Sequence, residues 1–320
     1  MDFELTDVQR AWREKGQALG RGLGADAGAA DVITGAARAG LLEPSADLVA
    51  ASLAVETLSC ESAAAGMTFA LHTTSLRAFP GGGRFAALAR GDSVGAIALT
   101  SEDVPSVDNG KLSGRAAWVG AFTDRGVAIV GARHDAQVVA CAVALDSEGV
   151  RIAEVPTSAL RGFVCAYVMF AGTPCIASTE TTGIMALART LIASAALGIG
   201  SRALRESLAV VTREHGAGGE QTVQGLLADT ATELEAARML TWQAAAQGAD
   251  LSLAAASTAK LAATTAAQAA VMRATQVVGV DSFRQGHVIE RLTQDVRAIE
   301  LFAGRTEALR EAVADEELRQ

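Results

Sequence analysis

Residues 221–238 read Gln221-Thr-Val-Gln-Gly-Leu-Leu-Ala-Asp-Thr-Ala-Thr-Glu-Leu-Glu-Ala-Ala-Arg238. Val223, Leu227 and Leu234 in this stretch, and Leu240 beyond it, recur at helical rather than alternating intervals, with no proline between them. That period predicts a helix from Thr222 to Gln247. Working outward, helical patterns run from Ile184 to Glu214, from Leu251 to Val278 and from Val288 to Phe302, with a short tail helix after them. Four long antiparallel helices joined by short links predict a bundle.

The texture changes upstream. Between Val94 and Phe170, short β-prone runs alternate with turn residues: Val94–Thr100, Leu112–Phe122, Val127–Val130, Val138–Ala144, Val150–Val155 and Cys165–Phe170. Asp108-Asn109-Gly110 is a strong hairpin signal between two of them. This spacing predicts a compact barrel or sandwich. Before it the chain is helical again. Thr6 and Gln9 form a capping-box pattern, helical periodicity resumes at Ala29, at Ala46 and at Ser62, and Pro80-Gly81-Gly82-Gly83 breaks it. The expected fold is mainly α with a middle β-barrel domain. The expected domains are residues 1–92 (helical), 93–178 (β) and 179–320 (four-helix bundle).

Half of the 320 residues are hydrophobic and 4% are aromatic, so the core must be built from Ala, Val, Leu and Ile. The net charge of −9, without any Lys/Arg run, argues against a nucleic-acid partner. Cys60, Cys141, Cys165 and Cys175 form no CxxC and have no His at ligand spacing, so they read as reduced core residues with no metal site. The acidic opening Met-Asp-Phe-Glu is not a signal peptide, and apolar runs such as Leu191 to Ile199 read as too short for a bilayer. A cytoplasmic protein with no membrane partner is expected. Gly198-Ile-Gly200-Ser-Arg-Ala203 mimics a dinucleotide fingerprint but lies inside a helical pattern with no strand before it, which excludes that reading. His72 and His215 are acid/base candidates whose alternative, the commoner one for a lone His, is a structural role.

The order helical, β, helical, together with particular residues, resembles the acyl-CoA dehydrogenase family over nearly the whole chain. Phe3-Glu-Leu-Thr-Asp-Val-Gln-Arg10 resembles its opening helix. Gly95-Ala-Ile-Ala-Leu-Thr100 resembles the strand leading to its flavin loop, and Gly114-Arg-Ala-Ala-Trp118 the strand whose Trp packs near the flavin. Gln221-Thr-Val-Gln224, Leu227-Ala-Asp229 and Ala236-Ala-Arg238 resemble its second bundle helix. Ala259-Lys-Leu261 and Gln276-Val-Val-Gly279 resemble the third, and Glu290-Arg-Leu292 with Asp295 the fourth. The resemblance implies FAD bound between subunits, and a Glu that removes the α-proton of an acyl thioester while the β-hydride passes to the flavin. It assigns cofactor contacts to Thr100, Ser101, Trp118, Arg213, Gln276 and Gly279, and substrate contacts to Arg189 and Arg305.

The departures fall on the same positions. The family's usual base lies in a Tyr-Glu-Gly-Thr turn; here that turn is Phe302-Ala303-Gly304-Arg305. Other members carry the base immediately before an Arg on the first bundle helix; here that pair is Ala188-Arg189. Glu300 is a candidate relocated base, its alternative being a salt-bridged Glu on a bundle helix. The phosphate motif after Arg213 lacks its Phe, and Gly279 is followed by Val280 and Asp281 rather than a second Gly. Gly120 stands where a hydroxyl is usual, the flavin loop Thr100–Asp108 is acidic, and the Gly-rich loop after Leu42 is missing. Three functions are compatible. The first is a degenerate partner subunit that joins a full-length dehydrogenase paralogue in a hetero-oligomer through the bundle. The second is a flavoenzyme of altered chemistry that keeps its FAD; an active protein would take an acyl-CoA or acyl-carrier thioester, as a homo- or hetero-oligomer through the bundle. The third is a scaffold or binding protein without cofactor.

Overall fold

The first helix, α1 (Asp7–Gly22), starts at the expected capping box: Gln9 N–H donates to Thr6 Oγ1 at 3.2 Å, and Thr6 N–H to Gln9 Oε1 at 2.9 Å. A computed structural model of the protein describes residues 4–24, 26–79, 81–99, 104–214 and 220–319. Four helices follow α1: α2 (Ala29–Arg38), α3 (Leu48–Glu61), α4 (Ala63–Ala78) and α5 (Arg84–Arg90). Asp47 and Ser62 cap α3 and α4 by accepting from Ala50 N–H and Ala65 N–H. Every residue from Ala63 to Leu76 is buried, as in a helix surrounded by its own protein. Within α4, His72 Nδ1 accepts from Gly95 N–H at 3.1 Å, and its Nε2 lies 3.2 Å from Leu88 O. Full burial pushes this imidazole down to about 4, so it is a neutral structural tie between helices and sheet.

The middle of the chain supplies eight strands: β1 (Gly95–Ala98), β2 (Ser106–Asp108), β3 (Lys111–Gly120), β4 (Val127–His134), β5 (Gln137–Ala144), β6 (Val150–Val155), β7 (Cys165–Pro174) and β8 (Ala177–Glu180). They pair in the order β6-β7-β3-β1-β4-β5-β8, with β2 against both β3 and β4. Asn109 (φ +48°) and Gly110 (φ +72°) make the β2–β3 turn, the left-handed pair such a hairpin requires. The expected barrel is an open sheet: among the described residues no pairing joins β6 to β8. Its faces serve two cores. Ala96, Ala98, Val130, Cys141 and Val168 fill a core inside the β domain, while Ile97, Leu99, Ile129 and Ala142 face the helices. Burial of both faces explains why β1 has no hydrophobic alternation. Sequence periodicity gave no sign of α5, β2 or β8, which have 7, 3 and 4 residues.

The bundle comprises α6 (Thr181–Glu214), α7 (Gln221–Ala246), α8 (Leu253–Val278) and α9 (Val288–Leu301), followed by α10 (Thr306–Glu317). The expectation that no segment is long and apolar enough for a bilayer needs correction. Judged by length and composition alone, α6 is, over Thr181–Arg213. Its most apolar window is 89% buried within the protein, because α6 is the central helix, enclosed by α3, α4, α7, α8 and α9. The rejected Gly198-Ile-Gly200 fingerprint instead marks helix crossings. A Cβ at Gly198 would lie 2.3 Å from Glu56 O and 2.5 Å from Ser59 Cβ on α3. We expect Gly198→Val to force α3 from α6 and to cost about 3 kcal/mol, the upper end for an overpacked core. The urea midpoint should fall at unchanged m-value; a wild-type midpoint would refute this packing.

Candidate functional site

A cavity of about 550 Å³ lies where the three parts of the chain meet. Leu71 comes from α4, Ile97, Ala98 and Leu99 from β1 and its end, and Trp118 from β3. Residues 156–160 with Phe163 and Cys165 come from the β6–β7 connection and the start of β7, and the bundle adds Ala188, Ile192, Ala298 and residues 301–303. The lining is apolar apart from the Thr157 and Ser158 hydroxyls and backbone. Among the described residues no Asp, Glu, Lys, Arg or His lines it.

The structure brings Ala188 and Ala303, distant in sequence, to this one cavity. Ala303 (φ +54°) and Gly304 (φ +105°) form the turn after α9. Two buried cations hold that turn from behind. Arg189, 5% exposed, donates from Nε to Ala303 O at 3.0 Å and from Nη1 to Ser257 Oγ at 2.7 Å. Lys260, fully buried, donates from Nζ to Glu300 O at 2.9 Å and to Gly304 O at 2.6 Å. Cations at the carbonyl end of α9 complement its dipole. Burial, reinforced by the nearby Arg189 charge, pushes the Lys260 ammonium down to about 7. The turn is thus rigidly presented, with a methyl group on its cavity side.

Glu300 is turned to other partners. Its Oε1 accepts from Thr306 Oγ1 at 2.7 Å, and its Oε2 from Gln268 Nε2 at 2.7 Å and Arg297 Nη1 at 3.0 Å. Burial would raise its carboxyl, but these bonds and the Arg297 charge hold it below its ordinary value. Arg305 is exposed and lies 3.6 Å from Glu307. Arg213 and Gln276 are exposed, and Gly279 (φ +71°) ends α8; none of the three lines the cavity. Thr100 and Ser101 lie outside the described residues.

Trp118 stands at the cavity mouth, 48% exposed, at a register shift between β3 and β7. Its φ of +56° is a strained conformation for a bulky residue. Strain of this kind concentrates at functional sites. Tyr167 meets it edge-on at 6.0 Å and carries the Arg115 guanidinium 5.2 Å above its ring. Sequence reading missed two supports of this site. Lys260 could have been noticed as a charge on the face of α8 that also carries Ala256, Ala259, Ala263 and Ala267, all buried. Asp295, whose Oδ1 accepts from Leu160 N–H at 2.5 Å, fixes the cavity-lining loop at a residue with φ +52°; no local pattern announces that pairing.

Residues 179–318 match the family model for the acyl-CoA dehydrogenase C-terminal domain. The bundle is therefore similar to the C-terminal domain of the acyl-CoA dehydrogenase family. The chain is 35% identical over 127 residues to 3-sulfinopropanoyl-CoA desulfinase of Paraburkholderia xenovorans, covering 38% of this chain and 33% of that protein. It is 34% identical over 142 residues to cyclohexane-1-carbonyl-CoA dehydrogenase of Geobacter metallireducens, covering 42% and 37%. The aligned part is therefore about a third of those relatives' lengths. The whole fold resembles butyryl-CoA dehydrogenase from Megasphaera elsdenii, with a TM-score of 0.87 at 18% identity over 100% of both chains. It also resembles the steroid ACAD Tcur3481-Tcur3483, with a TM-score of 0.83 at 20% identity over 98% of this chain and 97% of that one.

Two structural neighbours are described with a flavin, glutaryl-CoA dehydrogenase from Mycobacterium smegmatis in complex with FADH2 and PigA with FAD and proline, and the cavity can be tested for that group. A flavin ring would meet Trp118 and apolar walls. Its diphosphate would meet no cation among the described lining residues. At Gly120 an added Cβ would lie 2.6 Å from Phe163 and 3.2 Å from Phe302, two rings packed edge-to-face at 5.4 Å. The residues present fit a ring system and leave the diphosphate to groups outside the cavity.

Burial raises the Asp295 carboxyl from 3.8 to about 6, against the opposing Leu160 N–H and the charges of Arg291 and Arg161. A carboxyl raised in this way binds its proton more tightly when folded. Its contribution to stability is full below pH 3.8 and is lost as pH rises through about 6. Asp295→Asn should remove that slope from urea titrations run across pH 4–6.5, while Asp295→Ala, which strands the Leu160 N–H, should cost about 1–3 kcal/mol. An unchanged slope in the Asn variant would reject this assignment.

Proposed function

We propose that this chain is a base-less subunit of an acyl-CoA dehydrogenase-type flavoprotein, working in the cytoplasm as the hetero-oligomeric partner of a paralogue that carries the catalytic Glu. The observation that carries the reading is the cavity itself. Both positions from which the family presents a base reach it, and both present methyl groups. A methyl cannot take the α-proton of a thioester, and no other carboxylate lines the cavity among the described residues.

Two further features support the reading. Met272, Val280 and Phe283 at and beyond the end of α8 are 69%, 86% and 74% exposed, the kind of apolar surface that a partner covers. Gln276 and Arg213 are likewise exposed near helix ends, and Gly279 is half-buried at one, rather than gathered at the cavity, so a second chain would be needed to assemble them around a cofactor. The name of one structural neighbour, Tcur3481-Tcur3483, itself pairs two designations. FAD, when bound, would accept the hydride in the assembled oligomer. The acyl chain length and the choice between CoA and carrier protein belong to the partner's site.

The test is purification of the chain alone and co-expressed with a full-length paralogue, followed by visible absorption and acyl-CoA oxidation. The expected outcome is flavin colour and turnover in the complex, with the lone chain at least about a hundredfold slower, as loss of a general base dictates. Colour and ordinary turnover in the lone chain would establish an enzyme of altered chemistry instead. Absence of flavin from both preparations would leave a cofactor-free scaffold.

A further inference from the structure

A groove of about 680 Å³ lies between the two helical parts of the chain and shares no lining residue with the cavity at Ala188 and Ala303. Its walls are the link into α3 with the first turn of that helix, the start of α6 and the end of α7. Leu48, Leu187, Ala245 and Leu251 give it an apolar lining. Among the described lining residues the one cation is Arg77, in the last turn of α4. Its Nη2 donates to Ala46 O at 2.5 Å, and its enclosed Nε has no hydrogen-bond partner among the described residues. Burial opposes the charge, but a guanidinium keeps its proton. Among the described residues, the carboxylate whose charge reaches it is Asp47. Both Asp47 oxygens serve other donors, Oδ1 the Ala50 N–H at 2.9 Å and Oδ2 the Gln9 Nε2 at 3.0 Å. Arg77 is thus a partly buried cation held by one backbone carbonyl, an arrangement that an added anion would relieve.

We propose that this groove binds a small organic monocarboxylate, its carboxylate paired with Arg77 and its hydrocarbon body lying against Leu187 and Leu251. A planar guanidinium matches a planar carboxylate in shape as well as in charge. One cation balances one negative charge, and the Asp47 carboxylate at the same rim would oppose a doubly charged phosphate. The amino end of α3, also at that rim, adds positive potential. The apolar walls then gain from covering hydrocarbon. The volume lies within the range of about 300–1,000 Å³ usual for small-molecule sites.

The same chemistry is carried by a free acid and by the C-terminal carboxylate of a peptide. The free acid fits better, because the apolar lining offers a hydrocarbon chain contact while giving a peptide backbone few groups to pair with. The uncharged cavity at Ala303 gives the opposite preference, favouring a neutral ligand over a carboxylate, so the two sites can be told apart by charge. This inference is independent of whether the chain binds flavin or a partner.

The full-length chain, labelled with nitrogen-15, is titrated with hexanoate, hexanamide, inorganic phosphate and N-acetyl-leucyl-leucine while its amide spectrum is recorded. Hexanoate should shift the amides of Ala46, Leu48, Val49 and Leu187 saturably. Hexanamide, phosphate and the peptide should each bind at least about tenfold more weakly, the scale of one charge-assisted hydrogen bond. Arg77→Gln should weaken hexanoate by at least about the same factor. Ala246→Trp, at an exposed position on the rim, should block the groove without touching Arg77, and it keeps the test decisive if the Arg77 variant does not fold. Circular dichroism identifies the folded variants. No saturable shift with hexanoate, equal binding of hexanamide or phosphate, shifts gathered at Ala298 and Ala303 instead, or unchanged affinity in either folded variant would overturn the proposal. Tighter binding of the peptide would overturn it too, by assigning the groove to a chain terminus.

Discussion

The structure depends on how closely α6 can be approached. This helix has neighbours on nearly every side, and at Gly198 the backbone of α3 sits where any side chain would begin. Close contact between backbones requires small residues and gains stability through dispersion rather than through bulky hydrophobic side chains. The sparse aromatics and abundant alanines of the sequence follow from that constraint. The ion pairs Glu56–Arg238 at 2.8 Å and Glu61–Arg205 at 2.8 Å then tie α3 to the bundle along the rim of the contact. Such partly exposed pairs are individually worth about 1 kcal/mol or less, so they set register more than they supply stability.

With α6 fixed, the cavity follows. Its walls come from three regions distant in sequence, and each is secured from outside the cavity. Asp295 fixes the loop at Leu160, His72 ties α4 to the strand that begins at Gly95, and Arg189 with Lys260 holds the turn at Ala303. The charges that shape the site lie behind its surface, while the surface itself is apolar. Among the described residues, its surface carries no carboxylate, imidazole, amine or guanidinium with which to exchange a proton.

Much of the architecture was legible in the sequence because long helices announce themselves by period. The helix read from Val223, Leu227 and Leu234 runs from Gln221 to Ala246, and the Asp108-Asn109-Gly110 turn is a tight hairpin. The short elements were not legible, since three or four residues carry too little periodicity. Sheet closure was also beyond the sequence, because whether β6 meets β8 depends on pairings between strands far apart in the chain. The bilayer reading of α6 failed for a related reason: composition does not say whether the apolar surroundings of a helix are lipid or protein.

The sequence by itself determined the order of helices and strands, the family resemblance and the alanines at positions 188 and 303, because each is a matter of residue identity and local spacing. The tertiary structure decided what those alanines mean. It placed Ala188 and Ala303, 115 positions apart by their numbers, on one cavity wall, and it turned Glu300 toward Thr306, Gln268 and Arg297. It put Arg189 and Lys260 behind the turn. Each of these is a long-range contact whose geometry arises when helices and sheet pack around α6, and no period or motif along the chain encodes it.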